Sequence, residues 1–187
     1  MVEYQVIDNF LTIRQHAQIY DMLCNAGNTS IKKIRWEFCH VLQNFMVKEE
    51  HRKYNYMFGM GFEFNKSCTN VDEKYDFLQP LFVNLNPLVL LRVKANLYYR
   101  EDKVIPHGFH IDIINDKYPD SLKNKIKTAV YFVNTCNGKV LFEDGTEIDS
   151  IANRIVSFPM KTLHTGTSCT DQPFRCVINI NYIGLDI

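Results

Sequence analysis

The residues best suited to chemistry are a histidine and an aspartate two positions apart, His110 and Asp112, in a segment that begins at His107. Side chains alternate along a β-strand, so residues two apart point to the same face. One imidazole nitrogen and one carboxylate oxygen would then be aimed at a common point. These are two of the three ligands of a non-haem Fe(II) facial triad, which leaves coordination positions open. The pair alone also fits an ordinary surface strand.

A third ligand and an anion-binding residue follow downstream. His164 lies near the start of a short β-type run, and Arg175 follows it by eleven positions (175 − 164) at the start of another. A guanidinium binds a carboxylate with a bidentate fork. An acid that chelates the metal through a 2-oxo acid end would have its far carboxylate neutralised by Arg175, and 2-oxoglutarate is such an acid.

Many short β-type runs separated by turn signals occupy the second half of the chain, and this spacing predicts a double-sheeted jelly roll. In such a fold the second and seventh of these strands can be neighbours, which brings His110 and Asp112 close to His164. The predicted strands are 92–99, 109–114, 128–134, 140–142, 147–152, 154–158, 163–166 and 175–182.

The first half of the chain predicts a strand at 2–7, a second at 34–42 and a third at 56–64, with a polar loop at 48–56 between the last two. Two helices with apolar stripes at helical spacing are expected to pack on the sheet. Their stripes are Ile13, Ala17, Tyr20 and Leu23 in the first helix and Tyr75, Leu78, Phe82 and Leu85 in the second.

This order of elements predicts an α+β fold in a single domain, 1–187. Residues 1–91 form a buttress of helices and strands, and residues 92–182 form a double-stranded β-helix (jelly-roll, cupin-like) catalytic core with the helices packed on one sheet.

Composition excludes several classes of protein. Hydrophobic residues make up 46% of the 187 residues, which indicates a globular chain, and 21 basic residues balance 21 acidic ones, which does not favour nucleic acid as a partner. The six cysteines show no regular spacing and are expected to be reduced. With no leader and no long apolar run, the expected location is the cytoplasm, without a membrane partner.

The pattern His110-x-Asp112 followed by His164 and Arg175 on eight short strands resembles the 2-oxoglutarate/Fe(II)-dependent dioxygenase superfamily. The segments 96–98, 128–134 and 138–142 are similar to the prolyl 4-hydroxylase-like branch. The run 142–154 resembles small virus-encoded members, for which the location would be the host cytoplasm.

The resemblance implies an oxidoreductase in which His110, Asp112 and His164 ligate Fe(II), with 2-oxoglutarate and O₂ as co-substrates and ascorbate as a reductant. It implies that Arg175 and Tyr98, and with them Asn96, bind 2-oxoglutarate. It also implies hydroxylation of a C–H bond with release of succinate and CO₂, and a protein, peptide, amino-acid side chain or small molecule as the prime substrate. Phe132 stands where prolyl hydroxylases often have an inward tyrosine, which weakens the inference of prolyl specificity.

Two other functions remain open. One is demethylation or hydroxylation of nucleic-acid bases within the same superfamily, which Asn96-x-Tyr98 also fits and the neutral charge opposes. The other is a jelly roll that binds a ligand without catalysis. Two further features have alternative interpretations: His107 either faces the same cavity or, as we expect, lies behind the site or on the surface, and 117–127 is either a solvated loop or a lid.

Overall fold

The computed structural model describes residues 4–24, 36–42, 47–62, 73–112 and 119–184. These segments form two antiparallel sheets with a few short helices. The strands are β1 (Gln5–Ile7), β2 (Glu37–His40), β3 (Tyr56–Phe62), β4 (Val89–Tyr99), β5 (Ile126–Phe132), β6 (Lys139–Phe142), β7 (Glu147–Asp149), β8 (Ile155–Pro159), β9 (His164–Gly166) and β10 (Phe174–Ile183). The α-helices are α1 (Ile13–Cys24), α2 (Gln79–Leu85) and α3 (Asp120–Lys123), and 3₁₀ helices span Glu49–Tyr54 and Glu73–Leu78.

The larger sheet has seven strands in the order β1-β8-β5-β10-β4-β3-β2, and the smaller one has the order β7-β6-β9. Neighbouring strands that are distant in sequence, such as β4 beside β10, are typical of a jelly roll. The predicted α+β fold with a double-stranded β-helix core is therefore confirmed.

The helices cover one face of the larger sheet. Ile19 and Leu23 of α1 and Leu81 of α2 are buried in one cluster with Val93 of β4 and Ile178 of β10. This packing, predicted from the apolar stripes, leaves the opposite face of β4 and β10 free to line a cavity. In the described part of the chain, no helix has the length and apolar character needed to cross a membrane.

The stripe predicted for α1 was right at Tyr20 and Leu23, which pack on the core, and wrong at Ile13 and Ala17. Ile13 is 88% exposed and Ala17 is also exposed, whereas Ile19 is fully buried. Ile13 is the first residue of the helix and lies beyond the edge of the sheet contact, so its apolar character does not place it in the core. The loop predicted at 48–56 contains a 3₁₀ helix, Glu49–Tyr54.

The second helix begins beside a proline. A 3₁₀ turn, Glu73–Leu78, runs into α2, and Pro80 lies in the first turn of that helix, where its missing N–H costs nothing. The helix ends at Asn86, whose φ of 47° is left-handed. Asn70 and Asp72, whose side chains suit a helix cap, and Gly27, which suits the end of α1, lie outside the described residues.

The strand predicted at 109–114 was wrong over its described part. His110 forms one antiparallel bridge with His164, and Asp112 lies in a bend. A longer ladder would pair Asp112 with Thr162, but Thr162 belongs to a turn, because its N–H donates to the carbonyl of Pro159. The remainder of the predicted strand, from residue 113, lies outside the described residues.

Candidate metal centre

Main-chain hydrogen bonds bring the two predicted histidine ligands together. The N–H of His110 donates to the carbonyl of His164 at 2.9 Å, and the N–H of His164 donates to the carbonyl of His110 at 3.1 Å. Their ring centroids are 4.8 Å apart. Residues paired in this way across antiparallel strands present their side chains on the same face. The sequence expectation that these two segments are neighbours is therefore correct.

Each imidazole is oriented by a hydrogen bond to the carbonyl oxygen of the residue two positions earlier. Nδ1 of His110 lies 3.0 Å from the carbonyl oxygen of Gly108, and Nδ1 of His164 lies 2.9 Å from that of Thr162. A carbonyl oxygen only accepts, so each Nδ1 carries the proton and each Nε2 keeps a free lone pair. Metal-binding histidines are commonly fixed by a hydrogen bond of this kind. The tautomer of each ring is thus the one that a metal needs.

Asp112 completes the group, and its two carboxylate oxygens have different neighbours. Oδ2 accepts hydrogen bonds from the hydroxyl of Thr128 at 2.9 Å and from the side-chain amide of Asn181 at 3.0 Å. Oδ1 lies 3.8 Å from Nε2 of both His110 and His164. One oxygen is held by neighbouring strands, and the other faces the two imidazole nitrogens.

Electrostatics keep Asp112 and His110 in the forms that bind metal. Burial alone would raise the pKa of Asp112, but His164, the amide of Asn181, His110 and Thr128 together lower it below its usual value. Burial, followed by the neighbouring His164, lowers the pKa of His110. At neutral pH the carboxylate of Asp112 is ionised and the imidazole of His110 is neutral.

The arrangement fits a divalent metal with nitrogen and oxygen ligands. The ligand atoms of His110, Asp112 and His164 all lie within 4.8 Å of one another. Two imidazoles and one carboxylate on one side of a metal form the facial triad of non-haem Fe(II) sites, with the opposite positions left open. The three residues identified in the sequence would hold such an ion.

A cavity of about 390 Å³ opens beside this group. Alternation along β4 points Arg92, Lys94, Asn96 and Tyr98 into it, and Arg175 of β10 lies opposite Tyr98 in the strand register. Its volume is in the range of small-molecule sites. The three candidate ligands line the same cavity.

Arg175 provides a buried cation at one end of the cavity. Its side chain is 1% exposed, and its Nε donates to the hydroxyl of Ser150 at 2.8 Å. Nη2 has no hydrogen-bond partner among the described residues. The rings of Tyr98 and Phe132 lie 5.5 and 5.8 Å from the guanidinium. An unpaired buried guanidinium is costly, and a carboxylate from a ligand would remove that cost.

Asn96 and Tyr98 line the cavity beside the candidate ligands. Asn96 is buried, lines the cavity, and has an Oδ1 without a partner within the described segments. Tyr98 is buried with its ring toward the cavity, whereas Tyr99 points away and is exposed. Phe132 is fully buried beside Arg175, as the alternation on its strand predicted.

The residues that hold Asp112 and several that line the cavity were not predicted from the sequence. Thr128 and Asn181 hold the carboxylate, and Arg92 and Lys94 line the cavity, although the shared face of Arg92, Lys94, Asn96 and Tyr98 could have been read from period two. His107 is not on the surface: it is 3% exposed and stacks on Tyr98 with centroids 4.9 Å apart. Burial, and after it the charge of Arg175, lowers the pKa of His107 to about 3.

No protein-family model and no curated protein matches the sequence. Solved structures do match the fold. A prolyl hydroxylase from Trichoplax adhaerens, in complex with a hypoxia inducible factor oxygen degradation domain peptide, is 12% identical with a TM-score of 0.62, covering 96% of this chain and 83% of that chain. A viral collagen prolyl hydroxylase from Paramecium Bursaria Chlorella virus-1 is 14% identical with a TM-score of 0.51, covering 97% and 90%.

A non-heme alpha ketoglutarate dependent epimerase from nogalamycin biosynthesis is 15% identical with a TM-score of 0.60, covering 96% of this chain and 76% of that chain. These likenesses define the class of fold: the chain has the double-stranded β-helix of the 2-oxoglutarate/Fe(II) oxygenases, in a form that prolyl hydroxylases share. Because the same fold also serves an epimerase, it does not fix the reaction of this chain.

Proposed function

We propose that this protein is an Fe(II)- and 2-oxoglutarate-dependent dioxygenase that hydroxylates a C–H bond. One observation carries the proposal: two imidazole lone pairs and one carboxylate oxygen converge beside a cavity that also holds a buried guanidinium with an unpartnered Nη2. The imidazoles and the carboxylate fit a facial-triad metal, and the guanidinium fits the far carboxylate of a 2-oxo diacid.

In the proposed reaction, 2-oxoglutarate, O₂ and a substrate R–H give succinate, CO₂ and R–OH. The bound Fe(II) would supply the oxygen chemistry. His110, Asp112 and His164 would hold the metal. Arg175 would neutralise the far carboxylate of 2-oxoglutarate, and the hydroxyl of Tyr98 would donate a hydrogen bond to that carboxylate. The cavity wall excludes water from the reacting groups.

For the prime substrate we propose a protein, a peptide or an amino-acid side chain. The support is the shared fold with prolyl hydroxylases, one of which is described with a bound peptide fragment. Arg92 and Lys94 give the cavity wall two cationic side chains. Asp112, a ligand candidate, is the only acidic residue among those that line the cavity in the described part of the chain.

The test is succinate formation from 2-oxoglutarate by full-length protein loaded with Fe(II) under anaerobic conditions, measured after O₂ is admitted with ascorbate present. We expect slow succinate release from the wild type without prime substrate, and none above a protein-free blank from Asp112→Ala. Asp149→Ala removes an exposed carboxylate outside the site and should retain wild-type release.

A wild type that makes no succinate would contradict the proposal if 2-oxoglutarate also failed to raise its Tm with a redox-silent divalent metal present. Ligands that bind only the native state raise Tm by mass action. That joint result would favour the non-catalytic jelly roll, and salt-dependent binding of single-stranded nucleic acid would favour the base-modifying alternative.

A further inference from the structure

A second group of metal-ligating side chains lies outside the triad. Cys136 belongs to the turn between β5 and β6, and Cys169 and Asp171 belong to the turn between β9 and β10. Their ligand atoms all lie within 4.8 Å of one another. Both thiols are buried, and Asp171 is exposed at the protein surface. The group therefore has a buried sulfur side and a solvent-facing oxygen side.

Hydrogen bonds fasten the two turns to each other. The side-chain amide of Asn137 donates to the hydroxyl of Thr170 at 2.7 Å, and the N–H of Thr170 donates back to Oδ1 of Asn137 at 2.9 Å. The N–H of Asn137 also donates to Oδ1 of Asp171 at 2.9 Å. Oδ1 of Asp171 is thereby oriented, and its Oδ2 remains for another partner. The three ligand candidates are held on a preformed frame.

The two thiol sulfurs lie within 4.8 Å of each other. The thiol of Cys169 donates to the carbonyl of Gln172 at 3.6 Å. Thiolates are the form of cysteine that binds metal, and a bound metal would displace the thiol protons to solvent.

We propose that Cys136, Cys169 and Asp171 form a second metal site, separate from the triad, for a zinc-class divalent ion. Two thiolates select a softer ion than the imidazole and carboxylate ligands of the triad do. Tetrahedral Zn²⁺ with sulfur at about 2.3 Å and oxygen at about 2.0–2.2 Å separates its ligands by roughly 3.5–3.8 Å. The observed ligand atoms, all within 4.8 Å of one another, would draw together to that spacing around the ion, with water as the fourth ligand on the exposed side.

Metal binding at this site would stabilise the segment that leads to Arg175. The N–H of Cys136 donates to the carbonyl of Ser150 at 3.0 Å, and the hydroxyl of Ser150 accepts from Nε of Arg175. Two thiolates and one carboxylate around a divalent ion carry a net charge of −1, which complements the buried guanidinium nearby. Occupancy should therefore stabilise the fold around Arg175 without touching the triad.

The test is a Cd²⁺ titration of reduced, full-length protein without oxygen, followed by the sulfur-to-cadmium charge-transfer absorbance. The triad contains no sulfur, so it cannot produce this band even when it binds Cd²⁺. We expect a band that saturates at one equivalent of thiolate-bound metal and is lost in Cys136→Ser and Cys169→Ser. Asp171→Asn should weaken the affinity by at least about 10- to 100-fold, because loss of a ligand costs no less than loss of a group that supports one.

Cys24→Ser is the matched control. Cys24 and Cys176 form another sulfur pair in contact, and no third ligand candidate accompanies them in the described segments. This variant should keep the band. A second measurement uses Zn²⁺ and Asp112→Ala, which disables the triad: Zn²⁺ should still raise Tm, and should need a higher concentration to do so when Asp171→Asn is added.

Absence of the band in the wild type, or its persistence in Cys136→Ser, would overturn the proposal. Because Asp171 is exposed, Asp171→Asn should fold even if a cysteine variant does not, and an unchanged Cd²⁺ affinity in that variant would also count against the site. Peptide mapping that finds a Cys136–Cys169 disulfide resistant to reductant would replace the metal site with a covalent bond. None of these results depends on oxygenase activity.

Discussion

At the scale of single residues, the proposed metal site depends on its three candidate ligand residues and also on the groups that hold their side chains in place. Thr128 and Asn181 hold Oδ2 of Asp112, and the carbonyls of Gly108 and Thr162 hold the two imidazoles. The closeness of the three candidate ligands could be predicted because His-x-Asp and a later histidine have a recognisable spacing. Thr128 and Asn181 could not, because threonine and asparagine are common on strands and only the register places them beside a carboxylate.

We expect Thr128→Val to weaken metal binding by about 10- to 100-fold, because the variant keeps the shape of the side chain and removes a hydrogen bond to Oδ2 of Asp112. Calorimetric titration with Mn²⁺ would measure it. Thr135→Val is the control, because its hydroxyl accepts from Ala152 and lies in another part of the fold. Equal Mn²⁺ affinity in Thr128→Val and the wild type would refute this role for Thr128.

His107 should make stability depend on pH. Its pKa of about 3 in the folded protein lies below the usual value near 6.5, so between these values the unfolded chain binds more protons. Its contribution to stability is therefore complete above about pH 6.5 and decreases as the pH falls toward 3. The cause is burial, which disfavours the imidazolium.

We expect His107→Phe to remove up to about 1.4 kcal/mol per pH unit from the dependence of unfolding free energy on pH below 6.5. Phenylalanine preserves the stacking on Tyr98. Urea unfolding of metal-free protein between pH 7 and pH 4 measures the slope, with His40→Phe, an exposed imidazole, as the control. An unaltered slope in His107→Phe would mean that this histidine is not buried in its neutral form.

At the scale of elements, β4 shows how one strand serves both the core and the site. Val93 and Ala95 pack under the helices, and Lys94, Asn96 and Tyr98 face the cavity. Its alternation could be predicted, and β10 was located to within one residue at each end because its β-branched residues favour a strand. The interruption of the predicted strand 109–114 could not be predicted from the sequence, because pairing at Asp112 depends on the turn at Thr162.

The turn into β6 should control the position of Arg175. A Cβ at Gly138 would lie 2.5 Å from Cδ of Arg175 and 2.8 Å from the carbonyl oxygen of Ser168. We expect Gly138→Ala to displace the guanidinium and to reduce the affinity for 2-oxoglutarate by about tenfold or more, a loss near 1.4 kcal/mol.

The 2-oxoglutarate concentration that gives half of the maximal Tm shift, with Zn²⁺ present, measures this effect. Gly61→Ala is the control, because a Cβ there meets nothing within 4 Å. The same affinity in both variants would show that the backbone around residue 138 accommodates a methyl group without moving Arg175.

At the scale of the whole molecule, residues near the N-terminus are tied to the second half of the core. β1 pairs with β8, Arg154 forms two hydrogen bonds to Asp8 at 2.6 and 3.0 Å, and Asn153 bonds both backbone groups of Leu11. We therefore propose that 1–91 and 92–182 unfold as one cooperative domain. The sequence showed the order of these parts, but not the contacts between residues some 140 positions apart.

Asn153 offers a direct test of this coupling. It also accepts from the hydroxyl of Tyr131 at 3.0 Å, and its φ is 63°. We expect Asn153→Ala to lower the free energy of unfolding by about 2–4 kcal/mol, because it removes buried hydrogen bonds and leaves a strained backbone. Asn153→Gly relieves the strain alone and should be about 1 kcal/mol more stable than the alanine variant.

Urea unfolding followed both by far-ultraviolet circular dichroism and by the fluorescence of the single tryptophan, Trp36, measures these differences and tests cooperativity. The two signals should change at one urea concentration in the wild type and in both variants. Separate transitions would show that the first half of the chain folds as an independent unit.

The backbone pairing of His110 with His164 has a consequence for how such a protein evolves. The two chain segments are joined through their main-chain groups, which any residue other than proline supplies. A mutation at either histidine therefore removes a metal ligand while leaving the pairing that shapes the cavity. If the proposed function holds, one nucleotide change at either codon would leave a ligand-binding protein of the same form, so selection on chemistry is separable here from selection on folding.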